Sequence, residues 1–300
     1  MRNFKHKAPL WLGGLVMLLL AAGASLCLGG CGSPAEPTPT PAPTLVPTPT
    51  PDPGIVGNAA AELSVGGADQ EGVVTARYLA QSGKRVKLRV TREGGADYNY
   101  DLAGDGSWEQ FPLSEGDGVY TLTVFEQVED IQYAPVLTHT LTLALTDQNA
   151  PFLRPNQQVN YTPDSAAVAT AAEVTAGLSG DGDKIGAVYS FVTGHLAYDD
   201  LRSETVEPGY VSDVDAVLAA GEGICLDYAA LMSAMLRSQG VPCKMVVGYA
   251  GITYHAWVEV PDAAGGWTRM DPTFVSSRGD TPRMAEYIQN DANYRTVYVY

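Results

Sequence analysis

Between Gly72 and Thr146 apolar residues recur at every second position. Val86, Leu88 and Val90 alternate with charged residues, and Tyr98, Tyr100 and Leu102 with polar ones. Tyr120, Leu122 and Val124 follow the turn Glu115-Gly116-Asp117-Gly118, and Leu137, Leu141, Leu143 and Leu145 alternate with threonines. Successive side chains of a strand point to opposite faces, so each run has one apolar face. Runs split by Gly/Asp turns predict an antiparallel β-sandwich of about 85 residues. His139 falls on the leucine face and reads as a buried or edge histidine, not a ligand. Asp101, Asp105 and Asp117 lack the spacing of a calcium loop. This region reads as a spacer or binding module.

The period changes after Pro163. Asp164 is placed to cap a helix from Ser165 to Leu178, which Ser179-Gly180 ends. A second helix is expected from about Asp183 to Leu196, with Ile185, Val188, Val192 and Leu196 on one face and His195 near its C-terminal end. Tyr198-Asp199-Asp200 leads into a long loop. Ser212-x-x-Asp215 resembles a capping box for a short helix through Ala220. Gly221-Glu222-Gly223 then turns the chain into a helix from Cys225 to about Gln239, with Met232, Met235 and Leu236 as core. Gly240 and Pro242 end it. A three-strand meander follows: Lys244 to Tyr249, Ala256 to Val260 and Trp267 to Met270. Between the two halves, Pro151-Phe152-Leu153-Arg154-Pro155 reads as hinge-like. Thr296 to Tyr300 reads as a last strand with no evident pairing partner.

The ends and the composition add a location. Met1 to Lys7 is basic, Leu10 to Leu28 is nearly continuous apolar sequence, and Leu28-Gly29-Gly30-Cys31 follows. Small residues before a cysteine, with a polar tail after it, resemble the lipobox of an exported lipoprotein, with Cys31 the lipidated residue. The run is also long enough to span a bilayer as an uncleaved anchor. Either way the remainder is expected outside the cytoplasm, tethered to the lipid bilayer. Ser33 to Pro53 is a Pro/Thr tract, expected to form an extended spacer on the order of 60 Å long. The formal charge is −16, and residues 1–30 carry three basic side chains and no acids, leaving about −19 for the rest. Such a balance argues against nucleic acid or an anionic membrane surface as a direct partner. The expected divisions are a leader over 1–30, a linker over 31–57, a sandwich over 58–150 and a mixed domain over 151–300.

Four cysteines are present, two of them, Cys27 and Cys31, in or just after the leader. Cys225 and Cys243 flank one predicted helix, so they lie roughly 20 Å apart, too far for a disulfide. An unpaired Cys225 at a helix N-terminus suits a thiolate, which is the reactive form. The flanking Gly221 and Gly223 leave the Cys225 N–H free to approach a substrate as an oxyanion donor. Asp227 would oppose a thiolate if its carboxylate pointed back. Antiparallel partners have a constant number sum, here about 527, which sets His255 opposite residue 272, give or take one, and Asp271 beside it. An Asp in that place fixes the imidazole tautomer and stabilises its charged form. A metal site built on Cys, His and Asp would need a fourth ligand, and the chain holds neither C-x-x-C nor H-E-x-x-H.

Gly223-Ile224-Cys225-Leu226-Asp227-Tyr228-Ala229, Gly248-Tyr249, His255-Ala256-Trp257-Val258-Glu259-Val260 and Trp267-x-x-x-Asp271-Pro272-Thr273 resemble the bacterial transglutaminase-like superfamily over roughly residues 165–275. The resemblance implies an α+β, papain-like core, its cysteine helix packed on an antiparallel sheet, preceded here by the all-β sandwich. It also implies Cys225 as nucleophile, His255 as base and Asp271 as orienting acid, with Tyr198 and Trp257 as candidates to shape the cleft. No residue matches the tryptophan that completes the oxyanion hole in animal transglutaminases. Those enzymes use calcium, but no local ligand cluster here demands it, and no cofactor is required. The expected chemistry is a thioester formed from a protein or cell-wall peptide amide and passed to an amine or to water. The alternative is an inactive surface module that binds a wall polymer or partner protein.

Overall fold

The structure is a computed structural model that describes residues 54–273 and 293–300. The leader, Cys31 and the Pro/Thr tract lie outside the described residues. Among the described residues no helix is long and apolar enough to cross a membrane.

In chain order the first half comprises β1 (Ile55–Gly57), β2 (Ala61–Ser64), a short helix α1 (Ala68–Glu71), β3 (Val73–Tyr78), β4 (Val86–Arg92), β5 (Asp97–Leu102), β6 (Glu109–Pro112), β7 (Gly118–Glu129) and β8 (Gln132–Leu143). They form two antiparallel sheets, ordered β1-β2-β3-β6 and β5-β4-β7-β8. The second sheet holds every alternating run that the sequence displays. Leu88, Val90, Tyr98, Tyr100, Leu122 and Val124 face Leu63, Val74, Ala76 and Phe111 of the first sheet in one shared core. The first sheet is hard to see in sequence because Val73 to Ala76 is buried at every position and so shows no alternation. It begins at Ile55, three residues before the expected domain start. His139 sits on β8, at the edge of its sheet, opposite Leu122.

The segment read as hinge-like has local structure of its own. Ala150–Leu153 forms one turn of 3-10 helix with Phe152 buried. The Phe152 carbonyl accepts from the Cys243 N–H at 3.0 Å, and its ring meets Trp267 edge-on. Two apolar anchors and a backbone bond hold this Pro-rich segment in place, whatever its local sequence favours.

The second half runs α2 (Ala166–Val174), α3 (Asp181–His195), β9 (Ala197–Tyr198), α4 (Asp200–Thr205), α5 (Val214–Ala220), β10 (Glu222–Gly223), α6 (Cys225–Ser238), β11 (Lys244–Ala250), β12 (Thr253–Pro261), β13 (Trp267–Met270) and β14 (Tyr294–Val299). Residues Tyr228 to Leu236 of α6 are buried all round, as a central helix requires. It packs against α2, α3 and α5 on one side and β11 and β12 on the other. Burying each large apolar side chain of this helix contributes roughly 1.5–3 kcal/mol. The sheet order is β13-β12-β11-β14, so the last strand pairs with β11. Gly248 makes that pairing possible: a Cβ there would lie 2.1 Å from the Arg295 carbonyl oxygen.

Helix starts differ from expectation. Ser165, not Asp164, is the N-cap of α2, and the α2 amide of Ala167 is satisfied by Asp215 Oδ1 of α5 at 2.9 Å. Asp213 caps α5 instead, accepting from Ala216 N–H at 3.0 Å. The strand turn is also tighter than predicted. Ala250 pairs with Thr253 across Gly251-Ile252, so β11 and β12 stay paired further toward their turn.

Candidate active site

Cys225 is the first residue of α6, half-buried, and unpaired like Cys243. The turn before it is built from glycines for two reasons. Gly221 adopts a left-handed φ of 69° to close α5. Gly223 has no room for a side chain, because a Cβ would sit 2.7 Å from that of Asp227. Asp227 does not point at the sulfur. Its Oδ2 accepts from the Ile224 N–H at 2.9 Å, and its Oδ1 accepts from the Tyr210 hydroxyl at 2.7 Å. Arg202 donates to the Tyr210 oxygen at 2.8 Å. The carboxylate is thereby spent on the helix start, where the dipole favours it.

His255 reaches this helix end from β12. Its Nε2 lies 2.7 Å from Asp271 Oδ2, and both side chains are at least nine-tenths buried. The β12–β13 register sums to 528, since Val258 pairs with Met270. Carried on, it sets His255 level with Thr273, inside the one-residue margin expected, and Asp271 reaches it diagonally. Thr273 clamps the other carboxylate oxygen: its N–H donates to Asp271 Oδ1 at 3.1 Å, and its hydroxyl donates there too. Tyr294 from β14 donates to Oδ2 at 2.9 Å. Cys225 is the other group that acts on the imidazole, and with Asp271 it favours the charged ring.

Burial works against charge on His255. The hydrogen bonds and charges of Asp271 and Cys225 outweigh it, and the imidazole pKa is pushed up to about 10. Burial likewise raises Asp271, but the His255, Thr273 and Tyr294 donors win and hold it below the usual carboxylate value. Cys243 is the contrast. It is fully buried against Ser233, and burial pushes its thiol up to about 11, which leaves it inert at neutral pH.

Tyr198 and Trp257 fare differently. Tyr198 lies beside the cysteine turn, because β9 pairs in parallel with β10 and sets it level with Gly223. Burial, then the neighbouring Cys225 sulfur, raises its pKa to about 12. Trp257 does not line a cleft. It is 1 % exposed and packed between His255, at 6.3 Å, and Tyr294, at 4.9 Å. Neighbouring rings cover it, so it supports the histidine from behind.

Sequence reasoning gave no role to Thr273, Tyr210 or Tyr294. Thr273 was within reach, since it closes the Asp-Pro-Thr motif. Tyr210 and Tyr294 arrive from a loop and a distant strand, with no local signal.

Residues 168–272 match the profile of the transglutaminase-like superfamily. A protein-glutamine gamma-glutamyltransferase of Pseudomonas aeruginosa is 32 % identical where it aligns, which covers 20 % of this chain and only 11 % of that protein. Among solved structures, red sea bream transglutaminase is 13 % identical, covers 70 % of this chain and 49 % of its own, and has a TM-score of 0.32. A Cytophaga hutchinsonii protein provisionally described as a cysteine protease is 15 % identical, covers 73 % of this chain and 68 % of its own, with a TM-score of 0.38. Cys225, His255 and Asp271 all fall inside the matched segment, and with it this chain carries a domain of the transglutaminase-like superfamily.

Proposed function

We propose that this chain is a cysteine enzyme that forms a thioester from a protein or peptide amide and passes the acyl group to an amine or to water. The observation that carries the reading is the buried His255–Asp271 pair, 2.7 Å apart, within electrostatic reach of a half-buried Cys225 at the start of α6. The Cys225 thiolate would attack the amide carbonyl carbon, with the Cys225 N–H as one donor to the developing oxyanion. His255 would give its proton to the departing nitrogen as the C–N bond breaks. The neutral imidazole would then take a proton from the incoming amine or water, and return it to the sulfur as the thioester opens. An amine acceptor gives a cross-link. Water gives deamidation or peptide hydrolysis.

The location is part of the same proposal. With Cys31 lipidated, or the apolar run kept as an anchor, the enzyme would face the extracytoplasmic side and act on surface proteins or wall peptides. Globomycin-sensitive processing at Cys31 in a bacterial host would support the lipidated form, and processing unaffected by Cys31→Ser would count against it.

The reaction is tested by mass spectrometry of the full-length protein incubated with casein and dansylcadaverine, beside Cys225→Ala. Probe incorporated only by the parent is the expected result for a transamidating enzyme. Deamidated or shortened casein without probe would assign water as the acceptor. No change to casein, together with a Cys225 that alkylates no faster than a peptide thiol, would overturn the enzyme reading in favour of an inactive binding module.

A further inference from the structure

The matched segment ends at Pro272, yet Asp271 is held by Tyr294, 23 residues after it and beyond that segment. Tyr294 opens β14 and donates its hydroxyl to Asp271 Oδ2, the same oxygen that faces His255. Among the described residues its ring has two packing partners. Trp257 meets it edge-on at 4.9 Å, and the Arg269 guanidinium lies 3.6 Å from its centroid. The strand itself is pinned twice. It pairs with β11 from Tyr294 to Val299. At its far end, Val299 N–H donates to the Tyr98 hydroxyl at 3.1 Å, and Val299 carbonyl accepts from Ser114 Oγ at 2.5 Å. Tyr298 and Tyr300 pack edge-on against Tyr98. Tyr98 and Ser114 belong to the sandwich, so β14 ties that domain to the carboxylate of the site.

We infer that Tyr294 is a positioning residue of the catalytic group, held by a sandwich-anchored strand so that Asp271 presents Oδ2 to His255. This rests on the cysteine-enzyme reading above. Without the hydroxyl, Asp271 keeps Thr273 on Oδ1 and His255 on Oδ2, but loses the donor that fixes the direction of Oδ2. Among the described residues, the other titratable groups that act on this network are Tyr189, whose hydroxyl reaches the Asp271 carbonyl at 3.4 Å, Cys225, and Arg269 on the Tyr294 ring. None of these replaces a donor at Oδ2.

The test is the iodoacetamide alkylation rate of Cys225, followed peptide by peptide on the full-length protein across about pH 4 to 8. Tyr294→Phe keeps the ring and both of its packing contacts. It is expected to slow alkylation by roughly three- to tenfold near pH 6, and to move the acid limb upward, as a lost charge-assisted hydrogen bond would. In an Asp271→Asn background the same change is expected to do nothing further, because Tyr294 acts through that carboxylate. A fast parent thiol with an unchanged or faster Tyr294→Phe profile would overturn the inference and leave the enzyme reading standing. An equal slowing in the Asp271→Asn background would also overturn it, since that is a general structural effect. A parent Cys225 no faster than a peptide thiol would overturn both.

Discussion

In the sandwich, charged side chains pair where water still reaches them: Arg77 with Glu62, Lys87 with Asp101, Lys84 with Glu126. In the second half, Asp227, Arg237 and Asp271 are instead buried, each within a set of hydrogen bonds. Exposed pairs are screened by water and contribute little. Buried ones cost desolvation and persist only when fully bonded. A surface that merely has to stay soluble uses the first kind. A site that must hold charge in a dry place needs the second. The contrast extends to the cysteines, since Cys225 is half-buried at a helix start and Cys243 is shut in behind Ser233.

The comparison is broken most severely at Asp271. Asp271→Asn is expected to lower turnover by on the order of a hundredfold, read by casein labelling. It also removes the main support for imidazolium, so His255 falls back from about 10 toward its ordinary 6.5. The alkaline limb of activity then moves from near 10 toward neutral pH.

Next is Arg237, which donates to the Cys243 carbonyl at 2.9 Å, the Arg154 carbonyl at 2.7 Å and the Tyr300 carbonyl at 2.5 Å. Arg237→Ala leaves three inward-facing acceptors and should cost about 3 kcal/mol in urea unfolding.

The sandwich offers its own exception. Glu109 is buried, and burial pushes its pKa up to about 7 from 4.5. The folded chain therefore holds a proton that the unfolded chain releases, and stability falls as pH rises through that window. Glu109→Gln should remove this loss and stabilise the protein by about 1 kcal/mol above pH 7, seen as a higher melting temperature there and little change at pH 5. A smaller effect is expected of Lys87→Ala, whose partner Asp101 is exposed: under about 0.5 kcal/mol, within error by urea unfolding.

Much of the site was legible in the sequence because its logic is local. The glycine turn, the helix start at Cys225 and the meander follow from neighbouring residues. The β12–β13 turn fixes the register that brings Asp271 to His255, within one residue of the structure. The second sandwich sheet was legible for the same reason, as one wet face and one dry face impose alternation. The first sheet was not, since strands buried on both faces lose that signal. Asp215 misled because its position fits a capping box, while its carboxylate serves the neighbouring helix.

Taken alone, then, the sequence determined the order of most elements, the approach of Asp271 to His255, and the separation of Cys225 from Cys243, each set by spacing within a helix or across one turn. The tertiary structure decided what lies around them. It turned Asp227 away from the sulfur, placed Trp257 behind the histidine, and paired β14 with β11 so that Tyr294 meets Asp271. These contacts join residues far apart in the chain. Their geometry comes from the packing of whole elements, which no local pattern of side chains encodes.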